Sequence, residues 1–180
     1  MLFLFVLVKR RNKKTIHLRE IERALLPLKH DEVRGVVIPD GIGGLLEIDR
    51  LVLTEHGLLI IESYPISGHL FGSEQIDQWT QILEGRSFKF ANPIRHIHNA
   101  KYALQILAPK LPVHCRIVFT ADSDFPKGRP EVVSTLSSLE QDLKPILQTP
   151  KIPASSKLGW QRVLRIARTN GQAVLREATS

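Results

Sequence analysis

One cysteine in 180 residues, Cys115, excludes an internal disulfide, and no zinc-knuckle spacing is present. Its apolar, strand-like neighbours predict a buried structural thiol, which fits a reducing compartment, so the cytoplasm is the expected location. The sequence also lacks a serine-hydrolase elbow and a dinucleotide fingerprint. Its glycine cluster, Gly41, Gly43 and Gly44, leads from one strand-like run into another rather than into a helix, so it reads as a hairpin turn and not a phosphate loop. No apolar run suffices to cross a bilayer: Met1 to Val8 is continuously apolar, but eight helical residues reach about 12 Å against a hydrocarbon core of ~30 Å. Its basic residues follow the apolar run, whereas a secretory signal places them first.

Strong basicity is missing too, once its source is located. The net charge is +7, and five positive charges sit in the run Lys9, Arg10, Arg11, Lys13 and Lys14, leaving only +2 elsewhere. The folded part is therefore poor evidence for a nucleic-acid surface by charge alone. Residues 1–14 leave three readings open: the end of a longer transmembrane helix, a shallow anchor on an anionic membrane surface, or a hydrophobic tail. With 43% hydrophobic and 24% charged residues the chain has an ordinary globular composition, long enough for one domain and short for two. The expected division is a tail over 1–14, a domain over 15–148, and a linker with a C-terminal helix over 149–180.

What is present centres on residues 47–64, E-I-D-R-L-V-L-T-E-H-G-L-L-I-I-E-S-Y, two β-type runs around a turn at Glu55, His56 and Gly57. Alternation puts Glu47, Asp49, Leu51 and Leu53 on one strand face and Leu46, Ile48, Arg50 and Val52 on the other; in the next run Leu58, Ile60, Glu62 and Tyr64 share a face. An acid amid aliphatic neighbours in mid-strand is costly unless it is paired, hydrogen-bonded or holding a cation. Asp49 and Glu62 on consecutive strands thus form a candidate metal site.

The pattern I-D-x-L-V-L-T, a Gly-containing turn, L-L-I-I-E and a later N-P opening a helix resembles the nuclease-related domain, within the PD-(D/E)xK nuclease-like group. The resemblance covers about Glu20 to Leu147. It implies an α+β, restriction-endonuclease-like core of order α-β-β-β-α-β, a mixed sheet flanked by helices, and Mg²⁺-dependent cleavage of DNA. Carried onto these positions, Asp49, Glu62 and the Ser63 carbonyl hold the ion, and Tyr64 stands where the pattern has a lysine. Neutral near pH 7, with a reference pKa of about 10, Tyr64 brings no cation to the phosphate. Of the basic residues that could replace the lysine from a displaced position, Arg50 points to the opposite strand face and Lys89 is the other. His96 stands on the N-P helix where family members commonly show a site-facing Gln. The family's Gly-Glu falls near His17 and Leu18, with Glu20 and Glu22 the nearest substitute acids. A catalytically inactive nucleic-acid- or protein-binding module, or a membrane-tethered scaffold, stays open beside the nuclease.

Periodicity fills in the rest. It predicts a helix over 15–28 with Ile16, Ile21, Leu25 and Leu28 inward, a strand at 32–39, a loop at 65–72, and a small hairpin turned at Glu84 to Arg86 with Trp79 packed on a sheet. A helix capped by Asn92 follows, with Ile94, Ile97, Tyr102, Ala103 and Ile106 inward, then a strand at 113–120, an exposed loop at 121–130 and a helix from about Pro130 to Leu147. His96 and His98, two apart, lie on different helix faces, whereas helical zinc pairs need a spacing nearer four, so a zinc ion shared between them is not expected. The last segment places Trp160, Val163, Leu164 and Ala167 on one stripe, expected to dock on the domain rather than drive self-association.

Overall fold

Glu55 and His56 form the tight connection between two long strands, β2 (Leu45–Thr54) and β3 (Gly57–Tyr64), in the computed structural model, which describes residues 16–178, with side chains placed through residue 167. Gly57 is required here. Its φ is +126°, and a Cβ would run into the carbonyl of Pro112, which instead accepts the Leu58 N–H at 2.8 Å. Thr54 Oγ1 finishes the turn, accepting the His56 N–H at 3.0 Å and donating to the Gly57 carbonyl at 3.0 Å. A third strand, β1 (Asp31–Pro39), pairs antiparallel with β2 through the glycine-rich turn, where the Asp40 carboxylate accepts the N–H groups of Ile42 and Gly44 at 2.9 and 2.8 Å.

Helix α1 (16–25) precedes these strands. After them come β4 (Gly68–Phe71), β5 (Gln78–Leu83), β6 (Arg86–Ala91), α2 (Pro93–Leu107), β7 (Val113–Phe119), β8 (Ser123–Asp124), β9 (Val133–Thr135), α3 (Leu139–Leu147), a 3-10 turn (Ala154–Ser156) and α4 (Lys157–Ala178). One sheet has the order β1-β2-β3-β7-β9 and the other β6-β5-β4-β8; β1 with β2, β2 with β3, β4 with β5 and β5 with β6 pair antiparallel, and β7 with β9 and β4 with β8 pair parallel. Apart from the inserted β4 to β6, the order through β7 is helix, three strands, helix, strand. This is the mixed α+β, restriction-endonuclease-like core.

The chain divides into two compact units, and it passes between them within β3 and within β7. The unit of Leu28–Glu62, Pro93–Arg116 and 145–178 is built on the apolar body of the hairpin: Ile48, Leu51, Val52, Leu58, Leu59 and Ile60 are all 0% exposed. Truncating one of these to alanine costs about 2–5 kcal/mol by lost burial and a residual cavity. Helix α2 buries Ile94, Ile97, Ala100, Ala103 and Leu104. Helix α4 lies on β1 and buries Trp160, Val163 and Ala167, and Trp160 Nε1 donates to Asp31 Oδ2 at 2.7 Å. The expected stripe is present, with Leu164 half-buried at its edge. The preceding segment, read as a linker, is tied to the hairpin turn: the Ile152 N–H donates to the Glu55 carbonyl at 2.8 Å, and His56 Nδ1 bonds the Thr149 carbonyl at 2.7 Å.

The other unit, 16–27, Ser63–Asn92 and Ile117–Lys144, is organised by aromatic rings. Trp79 is fully buried, stacked on Phe119 at 6.1 Å and met edge-on by Phe90 and Phe125, with its Nε1 donating to the Ser73 carbonyl at 3.1 Å. Asn92 Nδ2 gathers the carbonyls of Ser73, Glu74 and Ile76 and so fixes the loop before β5.

Several local expectations are corrected. The loop at 65–72 contains β4, whose four residues carry only one buried side chain, Leu70, too short a run to show alternation. The helix expected from Pro130 begins at Leu139, because Val133–Thr135 is taken into the sheet as a buried parallel strand. On α1 Ile21 and Leu25, and Leu28 just after it, are buried as expected, but Ile16 is exposed and His17 buried; on α2 Tyr102 and Ile106 are exposed, and Ala100 and Leu104 take the inward positions. Cys115 is half-buried, and burial pushes its thiol up to about 11.

Candidate functional site

The burial pattern of β2 places Leu46, Ile48 and Arg50 inward and leaves Glu47 and Asp49 exposed. The hairpin register pairs Leu51 with Ile60 and Arg50 with Ile61, so one further step sets Asp49 opposite Glu62, on the same face of the two strands. The Asp49 N–H donates to Glu62 Oε1 at 3.3 Å. Asp49 is exposed, whereas Glu62 is only 5% exposed.

Helix α2 brings His96 to the same place. Its Nε2 donates to the Glu47 carbonyl at 2.9 Å and lies 3.6 Å from Glu62 Oε1. Burial raises the Glu62 pKa above the usual carboxylate range, with the charge of Asp49 adding, against the pull of His96. The Glu62 carboxylate in turn raises the His96 pKa, more than burial lowers it. Asp49, Glu62 and His96 are thus brought together in one unit, with the Glu47 carbonyl as a fourth participant. A backbone acceptor leaves no mark in a sequence, and Glu47 could not have been picked out from it.

The remaining expected residues lie elsewhere. Ser63 and Tyr64 fall on the part of β3 that belongs to the other unit, where the Tyr64 ring packs against Phe119 at 5.6 Å. Arg50 faces away from the acid pair: it is 4% exposed, and its guanidinium lies 2.8 Å from Glu32 Oε1. Lys89 is exposed on β6, opposite Thr80. On α1 Leu18 is exposed, Glu20 pairs with Arg23 at 2.6 Å, and Glu22 is half-buried. His17 is 2% exposed, neither ring nitrogen has a well-formed hydrogen bond, and burial lowers its pKa. His98 is exposed.

Among the described residues no group of three or more His, Cys, Asp or Glu side chains is arranged as a metal cage. The pair at hand suits a different kind of ion. Two carboxylates on facing strand positions, one of them with its ionisation opposed by burial and by its neighbour, are hard oxygen donors. Mg²⁺ takes one or two such carboxylates and completes its shell with water and substrate oxygens.

Comparison with known proteins bears on this arrangement. A family model of the nuclease-related domain matches residues 13–120, more than half of the chain and the stretch that carries Asp49, Glu62 and His96. An uncharacterised protein of Bacillus anthracis is 25% identical over 46% of this chain, and the match spans 41% of that relative's own length. No solved structure matches significantly. The extent of the family match, together with the helix, three strands, helix, strand order, places the protein: the chain belongs to the nuclease-related domain family.

Proposed function

We propose that the protein acts on nucleic acid, with DNA as substrate, as a Mg²⁺-dependent phosphodiesterase in which Asp49 and Glu62 hold the ion. The observation that carries this reading is the juxtaposition of two carboxylates on facing strand positions beside a helical histidine. Membership of a family whose nuclease-like domains are generally metal-dependent supports it. When bound, the ion would supply charge for the phosphate and acidify an attacking water. Asp49, exposed, meets incoming solvent and substrate. Glu62, buried, is held in place by the Asp49 N–H and faced by His96. His96, anchored on the Glu47 carbonyl, keeps the helix end against the acids and offers the imidazole nearest to Glu62 Oε1. Tyr64, in place of the pattern's lysine, limits the rate. The test is cleavage of labelled single- and double-stranded DNA with and without Mg²⁺, comparing wild type with Asp49→Ala. Ion-dependent cleavage that drops by about 10² or more in the variant is expected; cleavage unchanged by Asp49→Ala refutes the assignment.

One observation favours a second reading, a module that binds nucleic acid or protein without cutting: the Tyr64 ring is engaged with Phe119, and the position brings no cation. Binding of the same DNA without turnover at any divalent-ion concentration would select it. A further proposal concerns residues 1–14, which lie outside the described residues. Their apolar and basic sequence supports contact with an anionic membrane surface, each Lys or Arg adding about 1 kcal/mol. Among the described residues no helix is long and apolar enough to cross a membrane. Deleting residues before Thr15 should abolish sedimentation with anionic vesicles and leave the thermal transition unchanged; equal sedimentation rules the contact out.

A further inference from the structure

A cavity of ≈ 360 Å³ opens where the end of α2 and the turn after it meet the start of the C-terminal helical run. It lies within one unit and shares no residue with the acid pair. Its apolar walls come from Leu107, Leu111 and Leu158, the last 72% exposed. The volume is at the lower end of the range that takes small organic ligands, about 300–1,000 Å³.

Two features give this cavity a charge preference. Lys110 and Arg162 line it, both exposed, and neither forms an ion pair with another described residue. Ser156 also lines the cavity; the residue is 6% exposed, and its hydroxyl, which bonds no other described residue, is left to water or to a ligand oxygen.

We infer that this cavity is a binding site for a small amphipathic anion, an aliphatic chain ending in a carboxylate or phosphate. The chain would lie against the three leucines, and the oxyanion would meet Ser156, Lys110 and Arg162. No aromatic side chain lines the cavity, so a nucleobase has no stacking surface there. Charge-assisted hydrogen bonds to the head group supply selectivity, and the apolar walls supply the remaining affinity.

The test is calorimetric titration of the whole protein with octanoate, octyl phosphate, octanol and octylammonium. At least one of the two anions should bind saturably at one site, at least about tenfold more tightly than octanol, a difference of about 1.4 kcal/mol. Octylammonium should not compete. Lys110→Glu with Arg162→Glu, both on exposed positions, should weaken the anion at least tenfold with an unchanged melting temperature, and Ser156→Ala should weaken it severalfold. Octanoate and octyl phosphate are run separately, so the stronger one identifies the head group. The site is overturned by equal affinity for octanol, by anion binding that survives the charge reversal, or by the absence of saturable binding of both anions to wild type.

Discussion

The same strands carry acids in two opposite situations. Glu32 on β1 has a side chain 9% exposed and is met by Lys29 Nζ at 2.9 Å, Arg34 Nε at 2.7 Å and Arg50 at 2.8 Å. Burial works against its charge, yet hydrogen bonds from Arg34 and Lys29, with the charge of Arg50, hold its carboxyl below the usual carboxylate range. Glu62 on β3 is as deeply buried, but its neighbours are a second acid and one histidine, and its pKa is raised. One acid is over-supplied with positive charge and the other under-supplied. A structural acid is satisfied by the chain itself, whereas an acid that awaits an ion is left in deficit.

The largest effect expected from this contrast is on stability. Glu32→Gln removes the charge that Lys29, Arg34 and Arg50 converge on and should destabilise the fold by about 3 kcal/mol, measured by urea unfolding at pH 7. Because the folded pKa of Glu32 is depressed, its contribution is present above the unfolded value and fades as pH falls through the folded one. The variant should therefore show a weaker loss of stability between neutral pH and the acid range than wild type. A destabilisation below about 0.5 kcal/mol, the range of an ordinary surface change, would mean that the cation cluster does not distinguish Glu32 from Glu62.

The next largest effect comes from adding a cation on the strand that carries Glu62. Tyr64 lies two residues beyond Glu62 on β3, where the family pattern has its lysine. Tyr64→Lys should raise Mg²⁺-dependent cleavage by about 10², the scale of one positioned acid–base group, and Asp49→Ala in the same chain should abolish the gain. Losing the ring contact with Phe119 should cost about 1 kcal/mol, visible as a small drop in melting temperature. A folded variant that binds the metal and shows no gain would favour the binding module.

How much of this was legible in the sequence depends on the range of the interactions. Strand alternation fixed which faces Asp49, Glu62 and Arg50 would take, because a period of two is a local property of the backbone. The placement of Asp49 opposite Glu62 needed only the hairpin turn, which Gly57 announces. The partner of Arg50 was hidden: β1 sets Arg34 opposite Arg50, so Glu32 reaches Arg50 on the diagonal, a matter of register between strands. His96 was singled out by its place on the N-P helix, but its anchor on the Glu47 carbonyl was not visible. Strands β4 and β9, four and three residues long, are shorter than any pattern that alternation can reveal. Their formation is decided by neighbours distant in sequence.

The smallest effect is the sharpest test of the contrast, because its sign is opposite to that of Glu32. An acid whose folded pKa is raised binds its proton more tightly in the folded state than in the unfolded one, so its ionisation costs stability as pH rises past the unfolded value. Glu62 should behave this way, since burial and Asp49 both oppose its charge. Glu62→Gln keeps an acceptor for the Asp49 N–H and removes the charge, so it should stabilise the metal-free protein at pH 7 by on the order of 1 kcal/mol. The gain should vanish at low pH, where the wild-type carboxyl is already protonated. Mg²⁺ should raise the melting temperature of wild type and leave that of the variant unmoved, because the variant has lost one of the two ion-holding carboxylates. Urea unfolding across pH 3–8, with and without Mg²⁺, reads both effects. A variant less stable than wild type at neutral pH would place Glu62 with Glu32 among the structural acids.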